Sequence, residues 1–445
     1  MIKTFLFLCL AFFFVGCEKA STTITTTEED SSSTISDGTV SSPTPTECFN
    51  TTIDATSSTP MLSVLISYNN QTISSDELTW SQKLYGKNLH QLNSYYLETS
   101  RSAFEFAQAS ENAGCENDGV ISVKLNKNHP NSAYLTTVYP DLEAALIAAD
   151  EKIDFSNFDA DANGHITPDE LVITFIIAGY EDAYEGTHVY NGVWAHMSCM
   201  ESSNTPLLDG VTLMGCNDDG TFALFGELHD RYYTTHDATV GIIAHELGHS
   251  AFALPDLYNT QGQTGGIGIF GLMGAGSWAQ SSLREYPGDT PTHFSAWSKI
   301  RNGWITPQLA QAGTTHTLNE SASNTYNIIK IPISSTEYYL LENRNNNGYD
   351  KGLFALEGNF NGGMALWRIN EAKLSDYYLS TNTVNADTYD KAVDLVEAAN
   401  SVLDTRASNG DEANLFYDPN VTTYSYQSDI SAISQRASVM TLNIN

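Results

Sequence analysis

Gly241-Ile-Ile-Ala-His245-Glu246-Leu-Gly-His249 is the stretch that decides how this chain reads. It is an H-E-x-x-H inside an apolar run. Val240, Ile242, Ile243 and Leu247 make a helix meant for burial, with Asp237 as the expected N-cap. Side chains four apart share one helix face, so His245 and His249 aim two imidazoles at one point and suit a single Zn²⁺. Glu246 lies next to that face. There it can take a proton from a water attacking a peptide carbonyl and pass it to the leaving amine. Two imidazoles leave the ion under-coordinated, so a third protein ligand is expected. The chemistry indicated is metal-assisted hydrolysis. The plain alternative is a buried helix with two satisfied core histidines.

Read onward, His245-Glu-Leu-Gly-His249-Ser-Ala-Phe-Ala-Leu-Pro-Asp256-Leu-Tyr258 resembles the M6 metallopeptidases, the immune inhibitor A family. The resemblance implies protein or peptide substrates and Asp256 as the third zinc ligand. The sequence departs from the family in two ways. Asp256 stands eleven residues after His245 where ten is usual, and the usual Gly is replaced by Phe252 or Ala253. Pro255 enforces an extended exit, which lets Asp256 return to the metal. Asp256 as a turn former, and His293 as a rival ligand, are the competing readings.

The likeness continues in Gly266-Ile-Gly-Ile-Phe-Gly-Leu-Met273-Gly-Ala-Gly-Ser-Trp278, where Met273 would be the Met-turn, a structural floor beneath zinc. It continues again in Thr292-His293-Phe-Ser-Ala-Trp297, in Tyr339-Leu-Leu-Glu342-Asn-Arg344 and in Gly362-Gly-Met-Ala-Leu-Trp-Arg-Ile369. It implies an α+β fold, a zincin-like metallopeptidase domain over residues 61–305 with a mixed sheet and the H-E-x-x-H helix. A β-rich C-terminal region, 306–445, follows. Its short alternating runs either pack on the catalytic part or form a sandwich of their own.

A second cation site is expected at Asp159-Ala-Asp161-Ala-Asn163-Gly164-His165-Ile-Thr-Pro-Asp-Glu170, which fits the calcium-loop template at every position. Oxygens of Asp159, Asp161 and Asn163, the carbonyl of His165 and a bidentate Glu170 would surround Ca²⁺. The exit, Leu171 to Ile177, is β-branched and reads as a strand, so the loop is structural rather than a sensor.

The N-terminus reads as an address. Residues 1–16 have the form of a lipoprotein signal peptide, and Val15-Gly16-Cys17 resembles a lipobox with Cys17 as the lipidated residue. An ordinary signal peptide is the alternative. Residues 17–60 are dominated by Ser and Thr and read as a disordered tether, or else a pro-segment. The chain is expected to be exported and held at the cell envelope through its lipid anchor alone. Of six Cys, Cys48, Cys115, Cys199 and Cys216 remain for the mature body. Three pairings are possible, and Cys199 with Cys216, leaving Cys48 with Cys115, is preferred.

Composition narrows the partners. A net charge of −33, from 20 basic against 53 acidic residues, repels polyanions, so nucleic acid is not an expected partner. Cations suit such a surface, and a monomer is expected. Gly266, Gly268 and Gly271 spell a G-x-G-x-x-G without the preceding strand a dinucleotide site needs. Gly248-His-Ser250-Ala-Phe252 lacks the closing Gly of a serine-hydrolase elbow. The leading expectation is a calcium-stabilised zinc endopeptidase. The alternative is a catalytically weak or inactive surface-binding lipoprotein that keeps the fold.

Overall fold

The computed structural model describes residues 48–131, 137–184, 192–201, 204–231, 234–355 and 360–445. Val172-Ile-Thr-Phe-Ile-Ile-Ala-Gly-Tyr-Glu181 forms a strand buried along nearly its whole length. A run so uniformly apolar belongs in the middle of a parallel sheet, covered on both faces. It lies between Ser57–Ser67 and Phe222–Arg231, parallel to both. Phe104–Gln108 and Val120–Lys124 pair in succession along the far side of Ser57–Ser67, again parallel. Thr234–Asp237 and His196–Ser198 run antiparallel to Phe222–Arg231 on the opposite edge, which makes the sheet mixed.

Parallel neighbours need crossovers, and helices supply them. Glu77–Tyr85 and Leu92–Thr99 connect the first pair of strands, and Tyr139–Ala149 precedes the central one. The pleat sorts alternate residues to the two faces. Met61, Leu65, Val172, Ile176 and Phe225 pack with the first two helices and with the active-site helix Val240–Ser250. Leu62, Val64, Ile66, Ile173, Phe175 and Ile177 pack with Tyr139–Ala149 on the other side. Each of these fully buried side chains is worth about 1.5–3 kcal/mol relative to exposure.

The C-terminal region does both things expected of it as alternatives. Its five-stranded sheet includes Ile329–Pro332, Glu337–Arg344, Gly363–Asn370 and Val393–Leu395. One face of this sheet meets a second sheet, with Tyr339, Leu341 and Leu366 against Leu318, Met440 and Leu442. The other face, with Leu340, Trp367 and Ile369, joins the catalytic core. Arg344, fully buried, fastens the two parts: its Nη1 donates to the Phe270 carbonyl at 2.5 Å and its Nε to Asp350 at 2.7 Å.

Several expectations change. Residues 48–60 belong to the folded body and not to the tether. Ser57–Ser67 already pairs with Phe104–Gln108, Cys48 is bonded to Cys115, and the Asp54 and Ala55 N–H groups donate to Glu105. Thr and Ser in this stretch make an edge of sheet, which composition cannot tell from a linker. Between the first two strands, helix stops at Gly86, resumes over Leu92–Thr99 and gives way to the strand Phe104–Gln108. Thr239, not Asp237, holds the N-cap position of the active-site helix, without a side-chain capping bond, because Asp237 ends an antiparallel strand and accepts from Ser75. Cys199 is bonded to Cys216. The leader, Cys17 and the tether to residue 47 lie outside the described residues. Among the described residues no helix is long and apolar enough to cross a membrane.

Candidate active site

The active-site helix is seated by close contacts along its length. Gly241 admits the Ser277 carbonyl, which a Cβ would meet at 1.8 Å. Gly248 admits Met273, whose sulfur a Cβ would meet at 2.6 Å. Met273 is therefore a buried support under the turn that carries both histidines. Every residue from Val240 to Gly248 is buried.

His245 Nδ1 lies 3.0 Å from the Leu272 carbonyl, and His249 Nδ1 lies 2.6 Å from the Leu254 carbonyl. A carbonyl only accepts, so each Nδ1 carries its proton and each Nε2 presents a lone pair. The two Nε2 atoms are 3.2 Å apart. Asp256 Oδ1 stands 3.1 Å from the first and 3.2 Å from the second. Ligands on a tetrahedral ion with bonds of about 2.0–2.1 Å are about 3.3 Å from one another. The triangle therefore fits zinc and leaves the fourth corner for water or substrate.

The return of Asp256 depends on Ala253. Beyond the helix the Ala253 N–H donates to the His249 carbonyl at 2.9 Å and the Leu254 N–H to the Gly248 carbonyl at 3.1 Å. Ala253 takes φ +48°, the left-handed cap position that favours Gly. Pro255, which disfavours helix in the residue before it, precedes Asp256 as the chain returns to the histidines.

Electrostatics separate the roles. Burial opposes charge on His249, but the Asp256 carboxylate outweighs it and raises the imidazole above its ordinary value. Burial likewise opposes the Asp256 carboxylate, yet the two histidines hold it well below the usual range. Burial pushes the neighbouring Glu246 carboxyl up to about 8, with His245 pulling against that shift. A dication beside Glu246 draws it back toward the carboxylate form. The arrangement could hold a metal on three ligands, with a separate buried carboxyl, Glu246, beside it.

His293 plays no part in the triangle. Its Nε2 is 2.8 Å from Glu98 and its Nδ1 3.1 Å from the Lys299 ammonium. Sequence reading passes over Asn382, which donates to Asp256 Oδ2 at 2.5 Å. No motif surrounds Asn382, so only the fold reveals it.

In the second loop, oxygens of Asp159, Asp161 and Glu170 lie within 4.8 Å of one another. Asp159 accepts from the Asn163 and Gly164 N–H groups, each at 3.0 Å, and Gly164 takes φ +82° at the sharp turn. His165 follows, its N–H on Asn163 Oδ1 at 2.7 Å.

The model of the immune inhibitor A peptidase M6 catalytic domain matches residues 66–305. No curated protein matches the chain. Among solved structures, wild-type OgpA from Akkermansia muciniphila is 17% identical, with 66% of this chain and 73% of that chain covered and a TM-score of 0.32. A catalytically inactive OgpA from the same organism, in complex with an O-glycopeptide (glycodrosocin) substrate, is 16% identical, with 66% and 73% covered and a TM-score of 0.30. TM-scores that low do not establish a shared fold.

Proposed function

The chain belongs to the immune inhibitor A peptidase family M6 and is a metallopeptidase, and from that premise we propose an exported, lipid-anchored zinc endopeptidase with Glu246 as general base. The observation that carries the reading is the triangle of His245 Nε2, His249 Nε2 and Asp256 Oδ1 with the buried Glu246 beside it. Zinc, when bound, supplies a Lewis acid for the attacking water and the scissile carbonyl. Asp256 offsets part of the ion's charge, and the two backbone carbonyls keep the imidazoles aimed. Glu246 takes a proton from the attacking water and gives it to the leaving amine, so no net proton is lost. Its burial excludes bulk water from that transfer.

Cys17 would carry the lipid, and the Ser/Thr-rich stretch after it would hold the body off the membrane. Ca²⁺ on Asp159, Asp161, Asn163, the His165 carbonyl and Glu170 would stabilise the sheet, because the loop feeds the central strand directly. The inactive-lipoprotein alternative draws its support from the longer spacing to Asp256, and that spacing does not keep Asp256 from the two histidines.

The test is proteolysis of unfolded casein by the purified wild type and by Glu246→Ala, with zinc measured on both. The wild type is expected to hold about one zinc and to cleave about 10²–10⁴-fold faster than the variant. Equal rates would end the proposal.

A further inference from the structure

Asp256 has a second carboxylate oxygen that faces away from the histidines. Asn382 Nδ2 donates to it at 2.5 Å, and the Asp256 N–H donates to Asn382 Oδ1 at 2.9 Å. One amide side chain thus grips both the backbone and the carboxylate of the same residue. Asn382 lies well beyond residue 305, where the matched catalytic domain ends, just after the helix Asp376–Ser380. Its neighbours are fastened to the same stretch of chain. Asn385 Nδ2 donates to the Leu257 carbonyl at 2.9 Å, and Asn259 Nδ2 donates to the Ala386 carbonyl at 3.3 Å. Asn385 in turn exchanges two hydrogen bonds with Val393 in the C-terminal sheet.

The chemistry of the pair suits a metal ligand. A donor on Oδ2 stops the carboxylate from swinging to a two-oxygen grip, which would fill the corner needed by water. A neutral amide does this without cancelling the charge that attracts the cation, as a Lys or Arg there would. We propose that Asn382 is the positioning residue for Asp256, and that through it the C-terminal region is part of the zinc centre rather than an appended module. The inference rests on the zinc reading of His245, His249 and Asp256.

The competing account is that Asn382 is present for its backbone, which sits at φ +49°. Asn tolerates that region, but so does Gly. Asn382→Gly keeps the backbone and removes the amide. Zinc affinity of the full chain is measured by competition with a chromophoric chelator, alongside the melting temperature of the metal-free protein.

Asn382→Gly is expected to bind zinc about 10–100-fold more weakly, the cost of losing an outer-shell partner, while the metal-free protein stays folded and melts lower only by the cost of its two lost hydrogen bonds. Wild-type zinc affinity in Asn382→Gly overturns the inference and leaves the zinc reading intact. A wild-type protein that binds no zinc overturns that reading and this inference together.

Discussion

Asp256 Oδ1 lies 3.1 Å from His245 Nε2, although eleven residues separate them. The helix ends within that interval, Ala253 turns left-handed, and Pro255 bars the residue before it from continuing a helix. The longer spacing still brings Asp256 Oδ1 within 3.1 and 3.2 Å of the two histidine Nε2 atoms.

Asp256→Ala therefore separates a ligand from a turn former. As a ligand, its loss leaves two imidazoles, and zinc affinity falls by more than the roughly 100-fold upper limit of an outer-shell change. Glu246→Ala, by contrast, is expected to hold zinc as the wild type does and to lose turnover. A chelator competition on both variants checks this. Undiminished zinc affinity in Asp256→Ala, with only a lowered melting temperature, would assign Asp256 to the turn.

Ala253 occupies a backbone region that costs an L-residue roughly 1–2 kcal/mol. Its side chain is exposed, so replacement disturbs no packing. Gly removes that strain but adds about 0.4–1 kcal/mol of unfolded-chain entropy. Ala253→Gly is expected to be neutral to stabilising by about 1 kcal/mol, with zinc content unchanged. Ala253→Val, β-branched in the same position, is expected to be destabilised and to lose zinc more readily. Urea titrations of the three proteins measure the order, and a Gly variant less stable than the wild type would contradict it.

Much of this was legible because its signals are local. The spacing of His245 and His249 aims both rings from helix geometry alone, and the β-branched exit Leu171 to Ile177 reads as a strand, which the fold places at the centre of the sheet. The Asp159–Glu170 template likewise places its carboxylates together. What the sequence hid is long-range. Asn382 reaches Asp256 across 126 positions, and nothing near it in the chain hints at a metal. The start of the body was misplaced for a related reason: Ser57–Ser67 owes its order to pairing partners such as Phe104 and Val120, not to its own composition. The N-cap shifted from Asp237 because a strand claimed that residue first.

Calcium on the second loop predicts a stability change and no change of mechanism. A ligand that binds only the folded state stabilises it by about 2.7 kcal/mol at a hundredfold excess over Kd. The wild-type melting temperature should fall when a calcium-selective chelator is added, and Asp161→Ala should start at that lower value and not respond. Zinc content should be equal in both. A wild-type melting temperature indifferent to the chelator would mean that the loop is not occupied.

Arg344 predicts how the two parts of the molecule come undone. Its guanidinium grips both oxygens of Asp350 and one of Glu342, with all three side chains fully buried. Arg344→Met leaves those carboxylates without their cation, and breaking a buried pair this way costs about 3–5 kcal/mol. Burial alone would raise the Asp350 carboxyl, but Arg344, His293 and Lys299 outweigh it and hold it well below its ordinary value. A carboxyl depressed in the folded state contributes its stability above the unfolded value of about 3.9 and loses it as pH falls through the folded value. The wild type should therefore lose stability below about pH 4, while Arg344→Met, whose Asp350 has lost the largest of the groups that depress it, should lose less over the same interval. Denaturant unfolding at pH 7 and pH 3 measures both gaps. A gap between wild type and variant as wide at pH 3 as at pH 7 would show that the Arg344–Asp350 charge pair is not the source of the lost stability.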